Sequence, residues 1–356
     1  MRLTGNKGEW SELYVMLRLL SYGKLYAAKR DLKIDESLFF PIMKIFREER
    51  PGFKAEYQIS DDTFVEIYCN NELLERVSRA EFTREADYLL TAIRQGGNRA
   101  FEVNRTRLFM EHIKCSQLAA PSSDKTDITL QIRDVQTGYS PVCGFSIKSE
   151  LGSAPTLLNA SGATNFVYTI EGLSKEQMEI VNSLDGSTKI IDRMNYIKRN
   201  ATVSGGYAIN RTFANNLMLV DSKMEEIIAW VLRIHYFDGI NDCARIIDRL
   251  EAMNPLRFPG EGFYKYKFKK LLCSVALGMK PSTVWDGRDE ANGGYIIVTE
   301  SGDVVAYHIY NRDLFEEYLL ANTRLERGST SRHGFASIYE NDNQMQMNLN
   351  LQIRFI

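Results

Sequence analysis

The sequence predicts an α/β (α+β) fold, a mixed central sheet flanked by helices. Segments with apolar residues at helical spacing are interspersed with segments that alternate apolar and polar residues, as half-buried strands do. Several strand-like segments come in pairs separated by turn residues, the mark of antiparallel neighbours. No internal repeat and no low-complexity run offers a solenoid or a disordered tail instead.

Each element has its own justification. "GEWSELYVMLRLL" places Trp10, Leu13, Leu17 and Leu20 on one helical face, and Val15, Met16 and Leu19 widen it, so this helix is expected to be mostly buried. "AEYQISDDTFVEIYCN" reads as two strands about a Ser-Asp-Asp turn, and "SRAEFTREADYLLTAIRQGG" as a helix closed by Gly96 and Gly97. The polar run at 119–127 reads as a loop leading into "DITLQIRD" and then "GFSIKS", both strand-like. "SKEQMEIVNSL", "TKIIDRMNYIKRN" and "SKMEEIIAWVLRIHYF" are helical in pattern, the last with Ser222 as N-cap. Pro255, Pro259, Gly260 and Gly262 suggest a boundary near residue 255. Beyond it, "GGYIIVTESGDVVAYHIY" and "QMQMNLNLQIRF" read as strands around the helix "NRDLFEEYLLAN".

The 356 residues, 44% hydrophobic and 25% charged, suffice for two domains or one large one. No apolar run reaches the roughly 18 residues a bilayer span needs, and the first residues lack a signal-peptide pattern, so a cytoplasmic location without membrane association is expected. Five dispersed cysteines without a C-x-x-C pair, and four histidines, argue against a disulfide framework or a structural zinc site. His112, His235 and His308 read as structural histidines, and with no phosphate-cradling G-x-x-x-x-G-K-[ST] no nucleotide cofactor is expected.

Chemistry gathers at one hairpin. In "DITLQIRD" Ile128, Leu130 and Ile132 share a face opposite Asp127, Thr129 and Gln131, and in "GFSIKS" Ser146 and Lys148 oppose Phe145 and Ile147. A turn near Thr137 and Gly138 would set Asp127 across from Lys148 and Thr129 across from Ser146, with Cβ atoms about 5 Å apart. A carboxylate that can bind Mg²⁺ beside an ammonium that can stabilise a pentavalent phosphate is the layout of a metal-dependent phosphodiesterase. The same pair is equally the layout of an exposed cross-strand ion pair worth about 0.5 kcal/mol.

"KTDITLQIRD" followed by "CGFSIKSELGSAPTLLNASGATNF", together with "KGEWSELY" near the start and "STSRHGFASIYEN" near the end, resembles the type II restriction endonucleases of the PD-(D/E)xK superfamily, and most closely the HpaII family. The resemblance implies a restriction-endonuclease-like catalytic core over 1–20 and 101–255, an N-terminal α/β insertion over 21–100 and a C-terminal DNA-recognition region over 256–356. It implies a dimeric, Mg²⁺-dependent type II site-specific deoxyribonuclease that cuts double-stranded DNA at a short palindrome such as C-C-G-G, leaving 5′-phosphate ends. By position Asp127 becomes the metal-binding acid and Lys148 the catalytic lysine, while Ser146 stands where a second acid is usual. Glu12, Glu9 and Glu150 are the acids that could complete the metal site, Glu12 foremost, since an idle glutamate on a largely buried helix is costly.

DNA contacts call for cations and hydroxyls on phosphates and for Arg or Lys on guanine. Lys265 and Lys267 in "KYKFKK" alternate with aromatics and could follow a phosphate strand. Lys189, Arg193, Lys198, Arg199 and Arg211 form a local basic patch, and Asn159, Ser161, Thr164 and Asn165 cluster beyond the lysine strand. Arg324, Arg327, Arg332 and His333 lie in a loop rich in Ser, Thr and Gly that could enter a groove.

Overall fold

A computed structural model describes every residue except 1, 2, 30, 98, 120–125, 136 and 309–311. The 119–127 loop falls mostly outside the described residues. In chain order the elements used below are α1 (Lys7–Tyr22), β1 (Lys24–Ala28), β2 (Ile34–Arg50), β3 (Phe53–Ile59), β4 (Phe64–Cys69), β5 (Glu72–Ser78), α2 (Arg79–Gln95), β6 (Ile128–Ile132) and β7 (Val142–Ser149). Then come β8 (Asn165–Glu171), α3 (Lys189–Asn200), β9 (Thr202–Ala208), α4 (Met224–Arg233), α5 (Cys243–Met253) and α6 (Phe263–Leu277). The last are β10 (Gly294–Val298), β11 (Val304–His308), α7 (Thr330–His333), β12 (Ile338–Asn341) and β13 (Gln344–Asn350).

The chain divides into two compact units, one of residues 1–155 and 290–315, the other of 156–289 and 316–356. The first carries a nine-stranded sheet among the described residues, in the order β1, β11, β10, β7, β6, β2, β3, β4, β5. β10 runs parallel to β7, and β6 runs antiparallel to it. Residues 21–100 thus supply five strands of the sheet that also holds Asp127's neighbour strand, and Pro255 lies between α5 and α6, which pack together within the second unit.

α1 explains why this sheet is so well covered. Asn6 and Glu9 form a capping box at its start, and Gly23, in the left-handed region at φ 64°, ends it. Trp10, Leu13, Tyr14, Leu17 and Leu20 are fully buried against Phe145, Leu130 and Ile45 of the sheet and Phe82 and Leu89 of α2. Arg18 bridges the two helices through Asp87 at 2.7 Å.

In the second unit β9, β8, β13 and β12 form an antiparallel sheet backed by helices. One expectation changes here. The long "SKMEEIIAWVLRIHYF" helix starts at Met224, not after Ser222, and passes at Ile234–Asp238 into a π-helical turn. "KYKFKK" lies on α6, because its apolar residues Tyr264, Phe268, Leu271 and Leu272 recur at helical spacing that the local alternation of lysine and aromatic masks. No described helix is long and apolar enough to cross a membrane.

Candidate active site

The hairpin forms, with a register two residues from the one predicted. Ile128 pairs with Phe145 and Thr129 with Gly144, and the Asp127 N–H donates to the Phe145 carbonyl at 2.9 Å. The cause is a tight turn: the Asp134 N–H donates to Tyr139 O and the Gly138 N–H to Asp134 O, both at 2.8 Å, with Gly138 at φ 72°. Asp127 therefore stands across from Ser146, not Lys148.

That shift makes the serine the link between the charged groups. Ser146 Oγ donates to Asp127 Oδ2 at 3.0 Å and accepts from Lys148 Nζ at 3.0 Å. The Ile147 N–H also donates to Asp127 Oδ2, at 2.6 Å. Lys148 Nζ donates in addition to Ile147 O at 3.1 Å and lies 5.3 Å from the ring centroid of Tyr295. Ser146 is 2% exposed, so its two hydrogen bonds are made out of water. Tyr295 belongs to β10 and pairs with Ser146 in the parallel ladder. Nothing in the local sequence around Lys148 announces it.

Gly144 permits this arrangement. A Cβ there would come within 2.7 Å of the Thr126 side chain, whose hydroxyl donates to Glu290 O, while the Gly144 N–H donates to Asn292 Oδ1 at 2.8 Å. Gly144→Ala should therefore push Thr126, and Asp127 with it, out of place. We expect a loss of about 1–3 kcal/mol in thermal or urea unfolding, with cleavage falling further than the lost stability explains.

The three candidate second acids fare differently. The Glu9 carboxylate accepts from the Asn6 N–H at 2.7 Å and is committed to capping α1. β7 ends at Ser149, one residue short of Glu150, whose carboxylate accepts from the Glu300 N–H at 3.2 Å and whose pKa is raised by burial. Both acids, named as able to complete the metal site, thus have a backbone N–H as partner, and Glu150 lies past the end of the strand expected to carry it. Glu12 follows Ser11, whose Oγ donates to Ser149 Oγ at 2.8 Å at the end of β7. Among the described residues no group of three His, Cys, Asp or Glu side chains could hold a metal. The oxygen donors at hand are Asp127 Oδ1, which accepts no hydrogen bond from the described residues, and the Ile147 carbonyl. This hard-oxygen set suits Mg²⁺, a cation that binds one or two carboxylates and fills its shell with water and phosphate oxygens.

With this geometry in place, the model of the HpaII restriction endonuclease family matches residues 6–355. The chain belongs to the HpaII restriction endonuclease family. It is 37% identical to the type II restriction enzyme HpaII of Haemophilus parainfluenzae, over 99% of each chain. No solved structure matches.

The DNA-contact candidates of this HpaII-family chain separate into free and committed groups. Lys265 pairs with Glu317 at 3.5 Å and Lys267 with Asp221, so each already has a carboxylate partner. Arg324 pairs with Glu326 at 2.7 Å. Arg193 is buried and donates to the carbonyls of Asn182, Leu184 and Ala336, a structural task. Arg327 is half-buried over Tyr236 and reaches His235 O at 3.5 Å.

Thr164 and Asn165 are buried, which corrects their assignment to the DNA surface; they hold a loop instead. Asn350 Nδ2 donates to Ser161 O at 2.8 Å and to Asn165 Oδ1 at 2.7 Å, and Asn165 Nδ2 donates to His333 O at 2.8 Å. Asn348 Nδ2 donates to Gly334 O at 3.0 Å from the other side. The turn that carries Arg332 and His333 is thus clamped from beneath by β8 and β13. Arg332 itself is exposed, and its guanidinium makes no hydrogen bond to a described residue. Asn159 is also exposed.

His235 and His308 are core residues, as expected. His235 Nδ1 meets Ile240 O at 3.1 Å, and His308 lies 4.7 Å from the Phe40 ring and 5.9 Å from Phe145. Burial lowers both pKa values to about 4, so neither carries a proton near neutral pH.

Proposed function

We propose that this chain is a Mg²⁺-dependent, sequence-specific double-stranded DNA endonuclease with a PD-(D/E)xK-like core, in which Asp127 binds the metal and Lys148 acts on the scissile phosphate. The observation that carries it is the Asp127–Ser146–Lys148 relay, built on a buried serine at the meeting of an antiparallel hairpin and a parallel strand. A surface ion pair needs neither the 2%-exposed serine nor the aromatic ring beside the ammonium.

Each group has a defined task. Asp127 Oδ2 is fixed by Ser146 and the Ile147 N–H, which leaves Oδ1 for Mg²⁺. Lys148 keeps its ammonium in place through Ser146 Oγ and Ile147 O, with one N–H left for a phosphate oxygen as negative charge builds there. Mg²⁺, when bound, supplies Lewis-acid polarisation of the phosphate. Ser146 replaces an acid by a hydroxyl that orients both neighbours, and Glu12 is the acid we assign to completing the metal site. Arg332 and His333, on their clamped turn, read bases, and Asn159 and Ser161 approach the backbone. Recognition of a palindrome such as C-C-G-G requires two such sites, supplied by a homodimer on DNA.

Digestion of a plasmid with known sequence tests the reading. We expect discrete Mg²⁺-dependent bands whose ends, once sequenced, map to one short palindrome and carry 5′-phosphates. A smear, or cleavage confined to branched or damaged DNA, would assign the fold to a structure-specific nuclease instead.

A further inference from the structure

A second concave site lies wholly within the second unit. Its cavity, about 530 Å³, is walled by the ends of α3 and α5, the start of β9 and the π-helical turn after α4. That volume falls in the range of small-ligand sites, and π-helical turns are frequent at functional positions.

The charges in the wall are unequal. Lys198 is matched by Asp238 at 2.8 Å and by the Phe237 carbonyl at 3.1 Å. Arg233 and Arg249 line the same cavity, and neither side chain hydrogen-bonds or pairs with a described residue. Arg233 lies over Trp230, 4.2 Å from the ring centroid, and is half-buried, with no described protein acceptor for its donors. Burial lowers the Arg233 pKa, and the attraction of Asp238, which is itself paired with Lys198, offsets that only in part. A cation near the end of α4 could serve the helix dipole alone. That task needs no cavity, however, and α4 continues into the π-helical turn, so its terminal carbonyls lie further on.

We propose that this cavity binds a phosphate-bearing nucleotide unit, with Arg233 and Arg249 on the phosphate and Trp230, Val203 and Phe237 against the sugar or base. A planar guanidinium fork matches two phosphate oxygens, and aromatic plates beside cations suit nucleotide units of any sequence. The same chemistry is offered by a strand of DNA and by a free mononucleotide. The site is separate from the Asp127–Lys148 centre, so its failure would leave the cleavage reading intact, and the reverse holds too.

The test uses the full chain in chelator, which keeps DNA whole. Tryptophan fluorescence is followed while a short duplex, or AMP, is added, with Trp230→Phe identifying the reporting ring. Duplex DNA should change the signal of the parent and not of Trp230→Phe. Arg249→Ala, on an exposed side chain, and Arg233→Lys, which keeps the charge and loses the fork, should each weaken duplex binding roughly tenfold. Arg249→Ala should also lower the slope of log K against log salt by about 1. A response to AMP with the same dependence on Arg233 and Arg249 would assign the site to free nucleotides. No Trp230 signal with either ligand, or unchanged binding in both arginine variants, overturns the proposal.

Discussion

Lys148→Ala should slow Mg²⁺-dependent cleavage by roughly 10²–10³-fold, the usual effect of removing one preorganised charge from a phosphoryl or acyl transition state. Duplex binding in chelator should stay within a few-fold of the parent. The ammonium has three N–H donors, and two are fixed by Ser146 Oγ and Ile147 O. Alanine removes the third, the one left for substrate, together with the positive charge. It leaves Ser146 still bonded to Asp127, so the strand pairing and the carboxylate survive. Lys148→Arg should not restore the rate, because a planar guanidinium cannot occupy the point between Ser146 Oγ, Ile147 O and the Tyr295 ring that a compact ammonium fills. Initial rates of plasmid nicking, beside gel-shift affinities, separate the two effects. If Lys148→Ala cut within tenfold of the parent, the lysine would be a structural ion-pair member and the assignment of the site would fall.

The parts of this site that could be read from sequence are those governed by local rules. Strand alternation puts Ser146 and Lys148 on one face, and turn composition makes the hairpin, so Asp127 and Lys148 come together before any coordinates. The register could not be read, because it depends on how Asp134, Gly138 and Tyr139 close the turn, and a slip of two residues preserves every face. Tyr295 lies far along the chain and arrives only through a parallel pairing, which needs a long crossover and leaves no local trace. Glu9 shows the opposite failure. Its position on a helix that could carry a metal-binding glutamate suggested chemistry, while the N-x-x-E spacing from Asn6 already spelled a cap. For the lysines of "KYKFKK" the partners Asp221, Glu316 and Glu317 lie on segments distant in sequence, so a basic patch in one dimension is largely compensated in three.

Asp127→Asn should abolish cleavage at ordinary Mg²⁺ while leaving the fold in place, and comparison with Asp127→Ala shows why both halves are expected. Asparagine matches aspartate in shape, so its carbonyl oxygen can take the position of Oδ2 and keep the bonds from Ser146 Oγ and the Ile147 N–H. Its amide nitrogen then stands where Oδ1 was, a donor facing the place assigned to the cation. Changes around metal ligands commonly lower affinity 10–100-fold, and loss of the ligand itself should exceed about 100-fold, with the melting temperature within a few degrees of the parent. Alanine removes the acceptor as well. The Ile147 N–H and the Ser146 O–H would then be left without an acceptor in a buried strand, at about 1–3 kcal/mol. The two variants should therefore be equally inactive and unequally stable, the asparagine form melting higher. Mg²⁺ titrations of cleavage, with melting curves of both proteins, read this directly. An asparagine variant that cuts at the parent's rate and the parent's Mg²⁺ concentration would show that the carboxylate positions Ser146 and does not hold the metal.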